Sequence, residues 1–443
     1  MDYNQSLEYI DSFINYERTA AWEYPEALKL DRMRALAKEF GNPQNTYHTV
    51  IIGGSKGKGS TAAILSSILR MENYKTGLYT SPHVLNVRER IQVNGLPISE
   101  IRFTEIVLKL RGILDDYFWR KNPPTYFETL TAMAFYYFKE MKVEVAVLEV
   151  GLGGLFDSTN IAQAKAVGIA PVSLEHTDKL GKTIAKIAVQ KCGIIKGREL
   201  VVSAPQLPEA ESIIRKTAEE NDAQLYFVEH DIRIFERNHG EDFQNFDLRS
   251  PFGNFFDLKL HLLGKHQLEN AALAVGLAKG LETRTRMKLS DAAVKRGILD
   301  ARWPGRLEKI SDHPTVVVDG AHNPESMKKL VEALHRHFHF GKLIVIVSIL
   351  ADKDAEGILS ALYAEAAFFV VTQARNPRAL EAKLLAEKIK GAGKKIFIEA
   401  SPGRALERAT ALAGAGDLVL VTGSLFLVSD IIAESKNHDT STV

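Results

Sequence analysis

Apolar residues along the chain fall into short runs, separated by longer stretches in which they recur every three or four positions. Residues 49–52, 143–150 and 166–172 are short, mainly apolar runs, read as strands with both faces largely covered. The opening segment as far as Gly41 reads as helical, most clearly over residues 28–40, and residues 60–71, 127–141 and 184–196 repeat that spacing. Strands alternating with helices in this way predict a parallel α/β sheet.

Between residues 200 and 263 the pattern changes. Alternating runs at 224–228 and 255–262, broken by polar turns, predict a small antiparallel sub-sheet before a helix over 266–279. The chain then turns through Asp300 and Pro304, which sets a boundary between one domain over residues 1–299 and another over 300–443. Regular alternation follows, with strands at 315–318, 343–349, 368–372, 395–399 and 418–422 and helices between them. It predicts a second, doubly wound, Rossmann-like α/β unit. The polar residues 435–443 are expected to fray.

Composition narrows the class of molecule. The 443 residues suffice for two or three domains, each with a sizeable core. With 56 Lys+Arg against 55 Asp+Glu, the formal net charge of +1 gives no sign of nucleic acid or an anionic membrane as partner. The single cysteine, Cys192, permits no intramolecular disulfide and fits a reducing compartment. Residues 1–10 carry two acids and no basic stretch, unlike a secretory signal. No apolar run approaches the ~20 residues that span a bilayer. A soluble, cytoplasmic, monomeric protein is expected.

The strongest chemical signal is Gly53-Gly-Ser-Lys-Gly-Lys-Gly-Ser60, between a strand and a helix. Successive backbone N–H groups in such a turn converge on an anion, and the helix N-terminus adds partial positive charge. Lys58 supplies a point charge for β- and γ-phosphates, although Gly59 separates it from the hydroxyl of Ser60, which the common P-loop places next to the lysine. Glu149 ends the 143–150 run. Ligands gather beyond the carboxyl ends of such strands, so an acid there can hold Mg²⁺ directly or through water; a merely solvated strand end is the plainer alternative. Glu175 and His176 follow the next strand, where His176 is either an imidazole ligand or a structural side chain.

Further motifs follow in order. They are Tyr79-Thr-Ser-Pro-His83 with Arg88-Glu-Arg-Ile91, Phe127-Glu-Thr-Leu-Thr131, Glu149-Val-Gly-Leu-Gly-Gly154 with Asp157-Ser-Thr-Asn160, and Lys191-Cys-Gly-Ile-Ile-Lys196. Gly264-Lys-His-Gln267 with Asn270, Trp303-Pro-Gly-Arg-Leu-Glu308, Asp319-Gly-Ala-His-Asn-Pro324 and Thr422-Gly-Ser-Leu-Phe426 complete the series. Over nearly the whole chain this series resembles the folylpolyglutamate synthase/dihydrofolate synthase family of the Mur ligase superfamily. The resemblance implies an N-terminal P-loop domain of the Mur ligase central type and a C-terminal Rossmann-like domain.

It also implies roles. ATP would lie on Gly54, Ser55, Gly57, Lys58, Gly59 and Ser60, with Asn270 and Arg306 touching the nucleotide and Asp319 directed to its ribose. One or two Mg²⁺ ions would be held by Ser81, Glu149 and His176, with a carbamylated Lys191 supporting the second. His322, Lys353 and Ser424 would hold the incoming glutamate, and Lys58, Lys191 and His322 would be catalytic. Simpler roles compete: a surface lysine at 191, a helix cap at Ser424 and a turn-stabilising carboxylate at Asp319. The chain departs from the family's usual residues at Ser55 and Lys56 (Thr and Asn), Leu155 (Arg), Glu175 (Asp) and Gln190 (Glu).

The implied activity is ATP-dependent joining of L-glutamate to a folate-type carboxylate through an acyl phosphate. Closure across residues 298–303 would exclude water from that intermediate. Two alternatives stand: a Mur-type ligase for another acid, such as a muramyl-peptide precursor, and a P-loop ATPase acting as a switch or binding module. A switch has no need of the second group around His322 and Ser424.

Overall fold

The computed structural model of the chain describes residues 1–17, 28 and 30–440. Two compact units result. The first comprises Met1–Arg237, Asn245–Lys259 and His266–Ala301; the second comprises Asn238–Gln244, Leu260–Lys265 and Arg302–Val443.

The first unit is built on eight strands: β1 (His48–Gly53), β2 (Thr76–Tyr79), β3 (Ile91–Val93), β4 (Leu96–Pro97), β5 (Val145–Glu149), β6 (Ala166–Ile169), β7 (Leu200–Ser203) and β8 (Gln224–Phe227). Their order is β4-β3-β2-β5-β1-β6-β7-β8. All run parallel except the β3–β4 hairpin at one edge. β1 is buried from its second residue and β5 throughout, because helices cover both faces of a parallel sheet. The helix Lys58–Met71, directly after β1, is buried from Ser60 to Leu69. The helix Tyr126–Glu140 starts on a capping box between Thr125 and Glu128, and Glu128 also pairs with Arg32 at 2.7 Å.

Two expectations need correction here. Residues 224–228 were assigned to an antiparallel sub-sheet, yet 224–227 form β8 at the parallel edge, reached from β7 through the helix Pro208–Glu220. A crossover helix between two strands is what makes their pairing parallel, and run length alone does not reveal it. The smaller sheet is a meander of β9 (Arg233–His239), β10 (Gln244–Ser250) and β11 (Gly253–Leu260), whose short connections leave room only for antiparallel pairing. The helix Leu425–Thr440 also runs through residues 435–440, which were expected to fray. Residues 441–443 lie outside the described residues, as do residues 18–27 and 29 of the expected opening helix, whose described part holds two helices, Tyr3–Asp11 and Leu30–Glu39, with residues 12–17 and 28 in turn or coil.

The second unit carries β12 (Glu308–Asp312), β13 (Thr315–Val318), β14 (Leu343–Val347), β15 (Ala366–Val371), β16 (Lys395–Ile398) and β17 (Leu418–Thr422), in the order β12-β13-β17-β14-β15-β16. Only β12 is antiparallel. β17, last in the chain, inserts between β13 and β14. Such a reversal of strand order opens a crevice beyond the carboxyl ends, where ligands bind in open α/β sheets. Among the described residues no helix is long and apolar enough to cross a membrane.

Candidate active site

Because β2, β5, β1 and β6 are successive parallel neighbours, their carboxyl ends bring Ser81, Glu149, the loop over residues 53–60 and the pair Glu175–His176 to one edge of the first sheet. Glu149 is level with Ile52, is 5% exposed, and accepts the Ser81 amide at 3.2 Å through Oε2. The loop is tied to the chain beyond β6: Ser55 N donates to Pro171 O at 2.8 Å, and Ser55 Oγ accepts from Ser173 N at 3.0 Å. Gly54 has φ +136°, and a Cβ there would stand 2.7 Å from the carbonyl oxygen of Ala170. Gly57 has φ +84°, and its Cβ would stand 2.3 Å from Asn270 Oδ1. Only glycine satisfies both demands at each position. The buried Asn270 carboxamide, held through Nδ2 by Gln267 Oε1 at 2.9 Å, therefore rests against the loop.

Two lysines touch the loop backbone. Lys58 Nζ donates to Ser55 O at 3.3 Å, and Lys191 Nζ, on a side chain 3% exposed, donates to Gly54 O at 2.7 Å. Burial first, then the charge of Lys58, brings the Lys191 ammonium down to about 7, against the opposing pull of Glu175 and Asp157. Burial alone would raise Glu175. The hydrogen bond with His176 Nε2 (3.2 Å) and the charges of Lys58 and Lys191 outweigh it and hold the carboxyl well below the usual carboxylate range. Glu175 Oε2 is buried without a hydrogen-bond partner.

Asp157 shapes the adjoining glycine turn. Its Oδ2 accepts the amides of Gly151 and Leu152, each at 3.0 Å, while Oδ1 accepts Thr159 N at 3.0 Å and Thr159 Oγ1 at 2.6 Å. Burial nevertheless leaves its pKa raised. Glu149, the unpartnered oxygen of Glu175 and the nearby Ser81 hydroxyl suit a hard divalent cation. No group of three or more His, Cys, Asp or Glu forms a cage among the described residues, and His176 Nε2 meets Glu175. These residues fit an ion such as Mg²⁺, which takes one or two carboxylates and completes its shell with phosphate and water.

In the second unit β13, β17 and β14 are neighbours, so Asp319 and His322, Ser424, and Lys353 stand beyond one sheet edge. Gly423 N donates to Ala321 O at 3.1 Å, linking the loops that carry Ser424 and His322. Asp319 accepts Leu307 N at 2.9 Å and Ala321 N at 2.8 Å, the turn-holding role weighed for it. Burial raises its pKa, opposed by the neighbouring Arg306 and these amides. His322 Nδ1 meets Gly320 O at 2.8 Å. Ser424 Oγ accepts Leu427 N at 3.2 Å, so it does cap its helix. Lys353 pairs with Asp352 at 3.2 Å.

Sequence reasoning missed the supporting partners. Asp157 stood inside a quoted motif, and Gln267 lies one helical turn before Asn270. A spacing rule could have found both.

Two domain families match the chain: the Mur ligase middle domain over residues 52–278 and the Mur ligase, glutamate ligase domain over residues 305–425. The dihydrofolate synthase/folylpolyglutamate synthase of Bacillus subtilis is 35% identical over 91% of this chain and 94% of its own length. The chain belongs to the folylpolyglutamate synthase/dihydrofolate synthase family. Its fold is that of the Mycobacterium tuberculosis folylpolyglutamate synthase complexed with ADP, with a TM-score of 0.88, 31% identity and 98% of each chain covered. It is also similar to the Escherichia coli FolC in complex with DHPP and ADP, with a TM-score of 0.85, 28% identity and coverage of 100% of this chain and 99% of that one.

Against that family background, two of the departures meet. Leu155 N donates to Gln190 O at 2.9 Å, one residue before Lys191, and the Leu155 side chain is 37% exposed where the family usually carries a guanidinium.

Proposed function

We propose that the chain joins L-glutamate to a folate-type carboxylate, dihydropteroate and/or a tetrahydrofolate polyglutamate, with cleavage of ATP to ADP and phosphate. It would act in the cytoplasm as a monomer, with residues 1–299 as the ATP-binding domain and 300–443 as the glutamate-ligase domain. The observation that carries this reading is the presence of two carboxyl-end clusters in one chain. One is a phosphate loop flanked by Lys58, Lys191 and Glu149; the other is formed by His322, Lys353 and Ser424.

A carboxylate forms no amide until one oxygen becomes a leaving group. The loop amides and Lys58 hold the ATP phosphates, with Asn270 and Arg306 on the nucleotide and Asp319 towards the ribose. A substrate carboxylate oxygen then bonds to the γ-phosphorus as the bridging P–O bond to ADP breaks. Lys58 and the loop N–H groups offset charge on the transferring group. One or two Mg²⁺ ions would be held by Ser81, Glu149 and His176, with the unpartnered oxygen of Glu175 beside His176, supplying charge neutralisation and alignment of phosphate oxygens. His322, Lys353 and Ser424 hold glutamate so that its neutral α-amine attacks the acyl carbon, loses a proton and expels phosphate.

Lys191 would act as a carbamate. Its neutral amine adds to CO₂ and loses a proton, giving one negative charge shared by two oxygens suited to a hard ion. A carbamate nitrogen keeps one N–H, so the bond to Gly54 O survives the change.

Phosphate release tests the reading. It should require ATP, L-glutamate and a folate-type acid together. Release without any amino acid would favour the switch, and release with a muramyl peptide in place of folate would favour another acid.

A further inference from the structure

The loops that follow β14 and β15 are zipped together. Ala351 N donates to Arg378 O at 2.8 Å and Leu380 N to Ile349 O at 2.9 Å, while Gln373 Nε2 braces the second loop internally on Ala379 O at 3.3 Å. Arg378 N is fixed in turn by Asn376 Oδ1 at 2.9 Å. On this platform one carboxylate oxygen, Asp352 Oδ2, receives both Arg378 Nη2 at 2.7 Å and Lys353 Nζ at 3.2 Å. Burial would raise the Asp352 carboxyl, but Arg378 and Lys353 lower it on balance, so the acid stays ionised. The two cations share this one carboxylate oxygen, and all three side chains are partly open to solvent, at 31%, 28% and 44% for Arg378, Lys353 and Asp352.

The strand order places this pair. β13, β17, β14 and β15 are successive neighbours, so His322, Ser424, Lys353 and Arg378 follow one another along the sheet edge. Arg378 Nη2 and Lys353 Nζ reach the same Asp352 oxygen at 2.7 and 3.2 Å, so the guanidinium lies beside an ammonium assigned to the amino acid. L-Glutamate has the matching charge pattern, with a reacting amine and α-carboxylate at one end and a second carboxylate at the other. A guanidinium presents a planar fork of N–H donors that binds a carboxylate through two parallel hydrogen bonds, which an ammonium does not.

We propose that Arg378 is a further specificity-determining residue, its guanidinium reading the side-chain carboxylate of the incoming glutamate while Lys353, His322 and Ser424 hold the reacting end. This rests on the glutamate-ligase reading above. Asp352 is a positioning residue that keeps the two cations side by side against their mutual repulsion.

The test is steady-state kinetics of Arg378→Gln and Arg378→Lys with L-glutamate and with L-glutamine, after thermal melts establish that each variant is folded. Arg378→Gln should raise the glutamate KM roughly 10- to 100-fold, leave the ATP KM unchanged, and lower the preference for glutamate over glutamine by the same factor. Arg378→Lys, which keeps the charge and loses the fork, should fall between the two and provides the readout if the Gln variant does not fold. A wild-type preference for glutamate over glutamine in either folded variant, whatever its stability, overturns the inference alone. A wild-type protein that releases no glutamate-dependent phosphate overturns the ligase reading, and this inference with it.

Discussion

Lys191 Nζ donates to the carbonyl oxygen of Gly54 across 2.7 Å, so a buried lysine from the helix Ile184–Cys192 grips the phosphate loop by its backbone. Its pKa is lowered from an ordinary 10.5 to about 7, by burial first and then by Lys58. A lowered lysine is protonated below that value and neutral above it, and only the neutral amine adds CO₂. Protein stripped of CO₂ should therefore regain activity with bicarbonate at pH 8 and far less at pH 6, with a carbamate mass on Lys191. Lys191→Ala should be inactive and partly rescued by short carboxylic acids. Full activity of Lys191→Ala would end the assignment.

Glu149→Gln keeps the shape of the strand end and the acceptor for Ser81 N while removing the charge. The expected outcome is a Mg²⁺ titration shifted to higher concentration with the melting temperature nearly unchanged. An unshifted titration would make Glu149 no more than the end of β5.

Gly57→Ala puts a methyl group where Asn270 Oδ1 stands, on a backbone with φ +84°. The strain should cost about 1–3 kcal/mol and displace Asn270, so ADP affinity should fall. Pairing the change with Asn270→Ala relieves the collision but not the backbone strain. If the stability loss in the double variant equals the sum of the losses in Gly57→Ala and Asn270→Ala, the close contact has no consequence.

His337 holds two turns of the second unit at once, accepting Gly264 N at 3.1 Å through Nε2 while Nδ1 meets Gly240 O at 2.8 Å. This arrangement needs a neutral ring. Burial, with help from His239 and Arg336, lowers its pKa below the ordinary 6.5, against the bond to Gly240. The unfolded chain therefore takes up the proton first, and stability should fall as pH drops below about 6.5. His337→Ala should cost about 1–3 kcal/mol at neutral pH and flatten that acid slope. Chemical denaturation at pH 7.5 and 5.5 measures both, and equal slopes for the two proteins would remove the clamp.

Legibility in the sequence followed burial. β1, β5, β14 and β17 were readable because each is a continuous apolar run covered on both faces. β12 buries no residue and left no periodic trace, while β8, with only Phe227 buried, showed as an alternating run that did not reveal its parallel pairing with β7. The glycines at 54 and 57 announced a turn that approaches something closely, but not that Ala170 and Asn270 are what they approach. Lys191 meets Gly54 across 137 positions of chain, and Arg378 reaches Asp352 only because β14 and β15 are adjacent. Residue types at strand ends were visible, while the partners that set their charge come from tertiary packing.

Mass spectrometry of the products is the most direct test of the central claim. The protein is incubated with ATP, Mg²⁺ and L-glutamate, and dihydropteroate and tetrahydrofolate are offered separately. At least one acid should gain the mass of one or more glutamyl residues, with ADP and phosphate formed in equal amounts and no product when ATP or glutamate is left out. ATP cleavage with neither acid lengthened would contradict the account.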